Sequence, residues 1–274
     1  MNISKVPFFL SVPHAGERVP DEVVWLKGLP ETLLMCDVDR YVDQLYAPAA
    51  EKLGLPIVIT DVHRYVVDPN RLPGDIDEDS VLGSKNPRGK FTTGFHWVQT
   101  TTGARLIKEP MPQALHDKLV DQYYLPFHKR IVEQFAELKK AGFRNVYHID
   151  AHSMPSKGTA AHRDPGATRP QIVVSDQDGV SCESWFKDVV IEAYKSAGFE
   201  VGYNWPYKGG RITETYGQPQ KGQHTVQVEM NRSVYMNEVT KQKKPELFID
   251  VEKRVFRALA TIIEKISEKT SSKN

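Results

Sequence analysis

Apolar residues along this chain gather in two patterns that take turns. Short runs rich in β-branched and aromatic residues lie at 6–12, 55–62, 145–149, 171–175 and 199–203. The stretch 225–230 alternates, with Val226 and Val228 on one face and Gln227 and Glu229 on the other, and all six read as strands. Between them apolar positions return every three or four residues. Leu33, Leu34, Val38, Tyr41, Val42, Leu45, Tyr46 and Ala49 predict a helix over 31–53 that Gly54 stops, and Leu115, Leu119, Tyr123, Phe127, Ile131, Phe135 and Leu138 predict a longer one over 112–141, kinked at Pro126. Further helices are predicted at 181–197 and 249–266. Strands alternating with helices predict an α/β fold, one domain over 1–268 around a mostly parallel sheet, with a frayed tail at 269–274. Two stretches, 72–110 and 155–170, are rich in Gly, Pro, Asp, Ser, Thr and Lys and have no long apolar period. They predict loops; the longer one is expected to run over the surface rather than into the core and to serve as a lid.

In open α/β sheets, ligands collect beyond the carboxyl ends of the strands, and two predicted strands end in chemically capable residues. The run at 145–149 delivers Asp150, His152 and Ser153, a neutral imidazole suited to a metal with a carboxylate two residues away to orient it. The first strand ends in Pro13-His14-Ala15-Gly16-Glu17, a tight turn that brings a nitrogen and a carboxylate oxygen within reach of one zinc ion. After the second strand come Arg64, Asp68-Pro69, Asn70 and Arg71, a segment able to offer a carboxylate fork and a donor to a carbonyl oxygen. Asn204 and Lys208 offer donors beside Gly209-Gly210, where a backbone approaches a ligand closely. Glu229, a carboxylate on an otherwise apolar strand, is costly to bury without a function.

Each of these residues also has a plainer reading. His14 and Glu17 taken alone read as solvated surface groups, isolated arginines as surface charges, and Gly209-Gly210 as a simple turn. Asp37, Asp39 and Asp43 fall in the first half of the 31–53 helix; solvation and the helix dipole account for Asp37 and Asp43. His128, after the Pro126 break, reads as a hydrogen-bonded packing histidine.

Composition narrows the partner. With 274 residues, 40% hydrophobic, 26% charged and a formal net charge of +1, the chain has no bulk electrostatic case for nucleic acid or an acidic membrane, and a small molecule is the expected partner. Two cysteines, Cys36 and Cys182, are too few for a disulfide framework. Residues 1–6 lack the features of a signal peptide and no apolar segment reaches spanning length, so the expected location is the cytoplasm.

The order His14-x-x-Glu17, Arg64, Asn70-Arg71, His152 and a strand glutamate at Glu229 resembles the zinc-dependent exopeptidase group of carboxypeptidases and aspartoacylase-like amidohydrolases. More closely, Ser11-Val12-Pro13-His14-Ala15-Gly16, Val67-Asp68-Pro69-Asn70-Arg71, Asp150-Ala151-His152-Ser153-Met154, Tyr207-Lys208-Gly209-Gly210 and Gln227-Val228-Glu229-Met230-Asn231-Arg232 resemble the N-formylglutamate amidohydrolase family. The resemblance implies one α/β domain of zinc-exopeptidase architecture, with a mixed sheet and helices on both faces. It also implies a single zinc ion and hydrolysis of a small acidic N-acyl amino acid, with N-formyl-L-glutamate the first choice. The exopeptidase comparison makes Glu17 the acidic metal ligand and the amidohydrolase comparison makes it Asp39, so both stay open beside His14 and His152. Glu229 is then the expected base, Arg64 the oxyanion donor, and Asn70, Arg71, Asn204, Lys208 and Gly209 the substrate contacts. A zinc peptidase acting on a short or cell-wall peptide, and a non-catalytic binding protein on the same scaffold, are the other readings.

Overall fold

A computed structural model of the chain describes residues 6–271. Its centre is a six-stranded sheet built from β1 (Phe8–Val12), β2 (Ile57–Ile59), β3 (Val146–Met154), β4 (Ile172–Ser175), β5 (Val201–Tyr203) and β6 (Gln223–Asn231), in the order β2-β1-β3-β6-β4-β5. The first four strands across the sheet are mutually parallel, β4 runs antiparallel to β6, and β5 follows β4 in parallel. This is the mixed, mostly parallel sheet that the alternating pattern and the resemblance predict.

Side chains leave successive strand residues on opposite faces, and here the two faces differ in chemistry. On one, Leu10, Val12, Ile149, Ala151, Val226, Val228 and Met230 pack against α2 (Val42–Leu53), α5 (Ser184–Ser196) and α7 (Pro245–Ser271) in the largest hydrophobic cluster. On the other, Phe9 packs with Phe127, Ile131, Phe135 and Leu138 of α4 (Leu125–Lys140) at the amino ends of the strands. Towards the carboxyl ends that face turns polar, carrying Ser11, Asp150, His152, Gln227 and Glu229. The register aligns these groups in rows, Ser11 beside Asp150, Asp150 beside Gln227, and His152 beside Glu229. A short helix, α6 (Arg211–Tyr216), which the apolar pattern did not mark, closes that face with Ile212 and Tyr216.

Several predicted elements are corrected. The 31–53 helix is broken into α1 (Glu31–Leu34) and α2, with Tyr41 at φ 71° between them. The break has a tertiary cause. Asp37 takes hydrogen bonds from the Tyr65 hydroxyl (2.6 Å) and from the Thr101 amide (3.1 Å), and the Asp39 amide donates to the His14 carbonyl (3.0 Å). These partners win over continued helix. Asp37 is therefore buried rather than solvated. The 72–110 excursion has no long helix or strand, as expected, yet it is not confined to the surface. Val81, Phe95, Trp97, Val98, Leu106 and Ile107 are buried with Val62, Tyr65, Val66 and Val67 in a second hydrophobic cluster. The 112–141 stretch is α3 (Gln113–Leu119), a π turn at Val120–Tyr124 and α4. Pro126 has no N–H to donate, and the wider turn lies just before it. Residues 269–271, expected as frayed tail, belong to α7, which continues to Ser271; residues 272–274, and residues 1–5 on which the leader expectation rests, lie outside the described residues. Among those described, no helix is long and apolar enough to cross a membrane.

Three buried histidines and the half-buried His128 are held neutral by desolvation, His63, His128 and His148 with pKa values pushed down to about 4 and His96 to about 3. Their hydrogen bonds suit the neutral ring: His63 Nε2 donates to the Leu34 carbonyl (3.0 Å) while its Nδ1 accepts from the Tyr65 amide (3.1 Å). His128 packs in the same way, against the Pro69 carbonyl (2.9 Å) and the Tyr216 hydroxyl (2.8 Å). Because the folded pKa values lie below the unfolded value, these groups add no pH dependence above about 7. As pH falls from about 6.5 towards 4, only the unfolded chain takes up their protons, and each histidine costs up to ~1.4 kcal/mol of stability per pH unit. Urea midpoints should fall steadily from pH 6.5 to 4.5. A midpoint unchanged across that interval would mean that these rings are already charged in the fold.

Candidate active site

Two imidazoles converge, His14 just beyond β1 and His152 within β3, which runs on to Met154 past the predicted end at 149. His14 Nδ1 and His152 Nδ1 stand 3.1 Å apart, and Asp39 Oδ2 lies 3.4 Å from the first and 3.2 Å from the second, all three side chains buried. The other ring nitrogens are already engaged. His14 Nε2 meets Asp68 Oδ1 at 2.7 Å and His152 Nε2 meets Asp150 Oδ2 at 2.6 Å. Burial works to push both of these carboxyls up, but the facing histidines, and for Asp68 also Arg64, hold Asp68 well below the usual carboxylate range and Asp150 below its ordinary value. An ionised carboxylate only accepts, so each Nε2 presents its hydrogen to the carboxylate and each Nδ1 points inward; against the effect of burial, the facing Asp150 and Asp39 hold the His152 imidazole well above its ordinary value. Asp39 is likewise held well below the carboxylate range, its hydrogen bonds to His14 and His152 outweighing burial. Two Nδ1 atoms and an anionic oxygen aimed at one point form a cluster that can hold a metal cation in place of a shared proton. Ligand atoms about 2.0–2.1 Å from a tetrahedral centre stand ~3.3–3.4 Å apart, close to the three separations here. The group meets the geometry of a metal centre, with carboxylates oriented behind both imidazoles.

This settles the position of the two candidate acids. Asp39 completes the cluster. Glu17 does not, because its exposed carboxylate is held by the Arg40 guanidinium at 2.7 Å, and Arg40 also reaches Glu31. The spacing from His14 is short enough, but the turn at Gly16 sends the side chain outward.

Behind His152 the polar row continues inward. Asp150 Oδ1 accepts from the Ser11 hydroxyl at 2.5 Å, and that oxygen lies 2.8 Å from His148 Nε2. On the other side Glu229 faces the cluster from β6. Its Oε1 accepts from Gln227 Nε2 at 2.8 Å, and its Oε2 is buried with no partner; burial pushes the carboxyl up. Val226 and Val228 turn to the opposite face, as the alternation predicts.

The cluster forms the floor of a cavity of about 380 Å³, a volume in the range of small-molecule sites. Arg64, Asn70, Arg71, Lys208 and Gly209 line it with His14, Asp39, His152 and Glu229. Arg64 lies 4.6 Å over the Trp97 ring, donates from Nη2 to Asp68 (2.9 Å) and from Nη1 to the Asp37 carbonyl (2.9 Å), and keeps Nε buried without a partner. Asn70 Oδ1 accepts from the Ile212 amide (2.8 Å) at the start of α6, and the Gly210 amide donates to Gln227 Oε1 (2.7 Å). A Cβ on Gly210 would stand 2.0 Å from Asn70 Nδ2, so only glycine lets these segments meet. Lys208 is less free than expected, its ammonium lying 2.6 Å from Asp178. Asn204 is corrected: it does not line the cavity. At φ 51°, its amide group is spent on Asp176, which it contacts at 3.0 and 2.9 Å, so it serves the turn.

A family model described as N-formylglutamate amidohydrolase matches residues 6–236. The chain belongs to the N-formylglutamate amidohydrolase family. It is 33% identical over 239 residues to the N-formylglutamate deformylase of Pseudomonas aeruginosa, covering 85% of this chain and 84% of that one. The N-formylglutamate deformylase of Pseudomonas putida is 30% identical over 239 residues, 85% and 83% of the two chains. In fold the chain is similar to the crystal structure of N-formylglutamate amidohydrolase from Ralstonia eutropha, with a TM-score of 0.85 at 24% identity over 96% of this chain and 95% of that one. It is also similar to the gene product Atu2144 from Agrobacterium tumefaciens, with a TM-score of 0.67 at 20% identity over 94% and 92%.

Several residues at or behind the cavity wall carried no expected role. Asp68 and Arg232 sit inside blocks that carry the resemblance, and a buried acid after Val66-Val67 was the signal for the first. Arg232 donates to Asp39 Oδ1 (2.9 Å) and to the Ser153 hydroxyl (3.0 Å), so it fixes the third member of the cluster. Asp37, Trp97, Thr101, His162 and Arg163 come from loops where no period points to a cavity.

Two measurements check the cluster. Glu17→Gln should leave the affinity for zinc unchanged in a chelator competition, whereas Asp39→Asn should weaken it by ~10²-fold or more, since an anionic ligand is replaced by a neutral one. Equal effects of the two changes would return Glu17 to the centre. Asp68→Asn should weaken metal binding by roughly 10- to 100-fold with the far-UV spectrum retained, the usual effect of losing the carboxylate behind a ligating imidazole.

Proposed function

We propose that the chain hydrolyses the amide of a small acidic N-acyl amino acid, with N-formyl-L-glutamate as substrate and formate and glutamate as products. The observation that carries this reading is the partnerless Glu229 Oε2, buried beside three convergent ligand atoms at the floor of a small cavity. Family membership and the names of the two Pseudomonas relatives support the substrate.

A divalent metal, zinc by its fit to two imidazoles and a carboxylate, would be held by His14 Nδ1, Asp39 Oδ2 and His152 Nδ1, and would supply a Lewis acid that polarises the amide carbonyl and acidifies the attacking water. The chain's own residues do the rest. Glu229 Oε2 takes one proton from the attacking water as the new C–O bond forms, and returns it to the nitrogen as the C–N bond breaks, so the amine leaves neutral. A carboxyl pushed up by burial is suited to both halves of that transfer. Gln227 holds the other oxygen and keeps the carboxylate in one rotamer. Arg64 Nε is a fixed, unspent donor for the oxygen that gains charge in the transition state. Arg71, braced by the Thr93 and Asn70 carbonyls at 3.1 and 3.0 Å, binds the substrate carboxylate beside the amide. Asn70 and the Gly209-Gly210 backbone shape the adjoining wall.

Glu229→Gln keeps the size and one acceptor, so zinc content and KM should stay near those of the unaltered protein, while kcat for formate release falls by ~10²- to 10⁴-fold. Near-native turnover in that variant would assign the proton to another group, and loss of zinc would make Glu229 a ligand. Absence of formate from N-formyl-L-glutamate in the zinc-loaded protein would overturn the substrate.

A further inference from the structure

The charges lining the cavity are not all compensated. Five basic side chains reach it, and three already face carboxylates: Arg64 with Asp68 (2.9 Å), Arg232 with Asp39 (2.9 Å) and Lys208 with Asp178 (2.6 Å). Arg71 is bound only to neutral backbone carbonyls. Arg163 is exposed and has no hydrogen-bond or ion-pair partner among the described residues. The cavity therefore presents two unspent guanidinium groups.

Arg163 has no partner of its own, yet the segment that carries it is firmly built. Because β4 runs antiparallel to β6, the end of β3 and the start of β4 lie at the same edge of the sheet, Met154 paired with Asn231 and Ile172 with Met230. The 155–170 connection consequently begins and ends beside the cavity. Its neighbouring acid and base are spent on each other, Arg169 holding Asp164 through two bonds of 2.8 Å, both residues buried. Arg169 also donates to the Tyr207 hydroxyl (3.1 Å), and the Thr159 hydroxyl donates to the Thr101 carbonyl (3.0 Å) across the cavity wall. A Cβ on Gly158 would stand 2.1 Å from the Asp164 carbonyl oxygen, so the loop closes on itself at that point. Of the loop residues that line the cavity, Pro155, Ala161, His162 and Arg163, only Arg163 brings an unspent full charge.

Resting on the reading above, we propose that Arg163 is the specificity residue for the distal carboxylate of the substrate, while Arg71 takes the carboxylate on the amide-bearing carbon. Arg71 lies three residues after Asp68, which touches His14, so it is the guanidinium tied to the reacting end. A carboxylate two methylenes further out reaches towards the rim, where Arg163 stands. The pair selects a dicarboxylate over its half-amide by charge, because an amide in place of the outer carboxylate leaves a guanidinium facing a neutral group.

Glutamate and glutamine, which differ only at that outer group, separate this inference from the reaction. Calorimetric titration of the purified chain should show glutamate binding at least ~10-fold more tightly than glutamine. Arg163→Gln should abolish the preference by weakening glutamate alone, and Arg163→Lys should keep part of it. Melting temperature and zinc content should not change, since Arg163 has no partner in the fold. Equal binding of the two ligands by the unaltered protein, or a preference that survives Arg163→Gln, overturns the assignment. Turnover is read separately: a protein that fails to release formate but shows the Arg163-dependent preference refutes the reaction and leaves the carboxylate subsite standing.

Discussion

Asp68 is the interaction on which the site depends. Its two oxygens are fully buried and take four donors, His14 Nε2 and the Asn70 amide on Oδ1, Arg64 Nη2 and Trp97 Nε1 on Oδ2. An ionised carboxylate has about four acceptor positions, so none is left over. Leaving such a charge unpaired in the interior would cost several kcal/mol, and that penalty is what makes the arrangement all-or-none. One contact holds Nε2 of an imidazole in the convergent cluster. The other three fix the segment that carries Arg64, Asn70 and Arg71 at the cavity. Orientation of the cluster and orientation of the binding wall are thus the same structural fact.

The sheet register supplies the second half of the geometry. Parallel pairing of β1, β3 and β6 brings His14, His152 and Glu229 to one edge although they come from widely separated parts of the chain. Period-two alternation then sorts them from the core: odd members of the β6 run face the cavity and even members face the helices. A slip of one residue in either pairing would bury Glu229 in the apolar cluster and turn Val228 to the cavity. The large apolar cluster on the far face forbids that slip.

Much of this was legible in the chain. The strands, the major helices, His14, His152, Glu229 and the faces of β6 follow from periodicity and from strand ends. What was not legible depends on contacts between distant segments. Asp39 over Glu17 is such a case, because nearness along the chain favours Glu17 while Arg40 removes it. Asp37 looked like a surface acid on a helix, but Tyr65 and Thr101 draw it inward and end the helix with it. The second hydrophobic cluster was hidden for a similar reason: Phe95, Trp97, Leu106 and Ile107 are spaced too irregularly to show a period, and they pack with residues distant in the chain, among them Val23, Leu26, Tyr65, Leu119 and Tyr124. Asn204 shows the converse, a polar residue near glycines whose positive φ and bonds to Asp176 give it a local duty.

The two hydrophobic clusters have a consequence for how the molecule breathes. One cluster holds the sheet to its helices on the face turned away from the cavity, the other holds the segment that carries Arg64, Asn70 and Arg71, and the cavity lies along the seam between that segment and the polar ends of the strands. Apolar side chains fill each side of the seam but polar groups bridge it, so parting the two sides exposes little greasy surface and leaves each cluster intact. Such an opening costs less than unfolding the whole chain. A dicarboxylate lodged in the cavity would touch both sides at once and act as a clasp. Entry and release of a buried substrate then need no separate lid, only a brief loosening of a joint that the ligand itself draws shut.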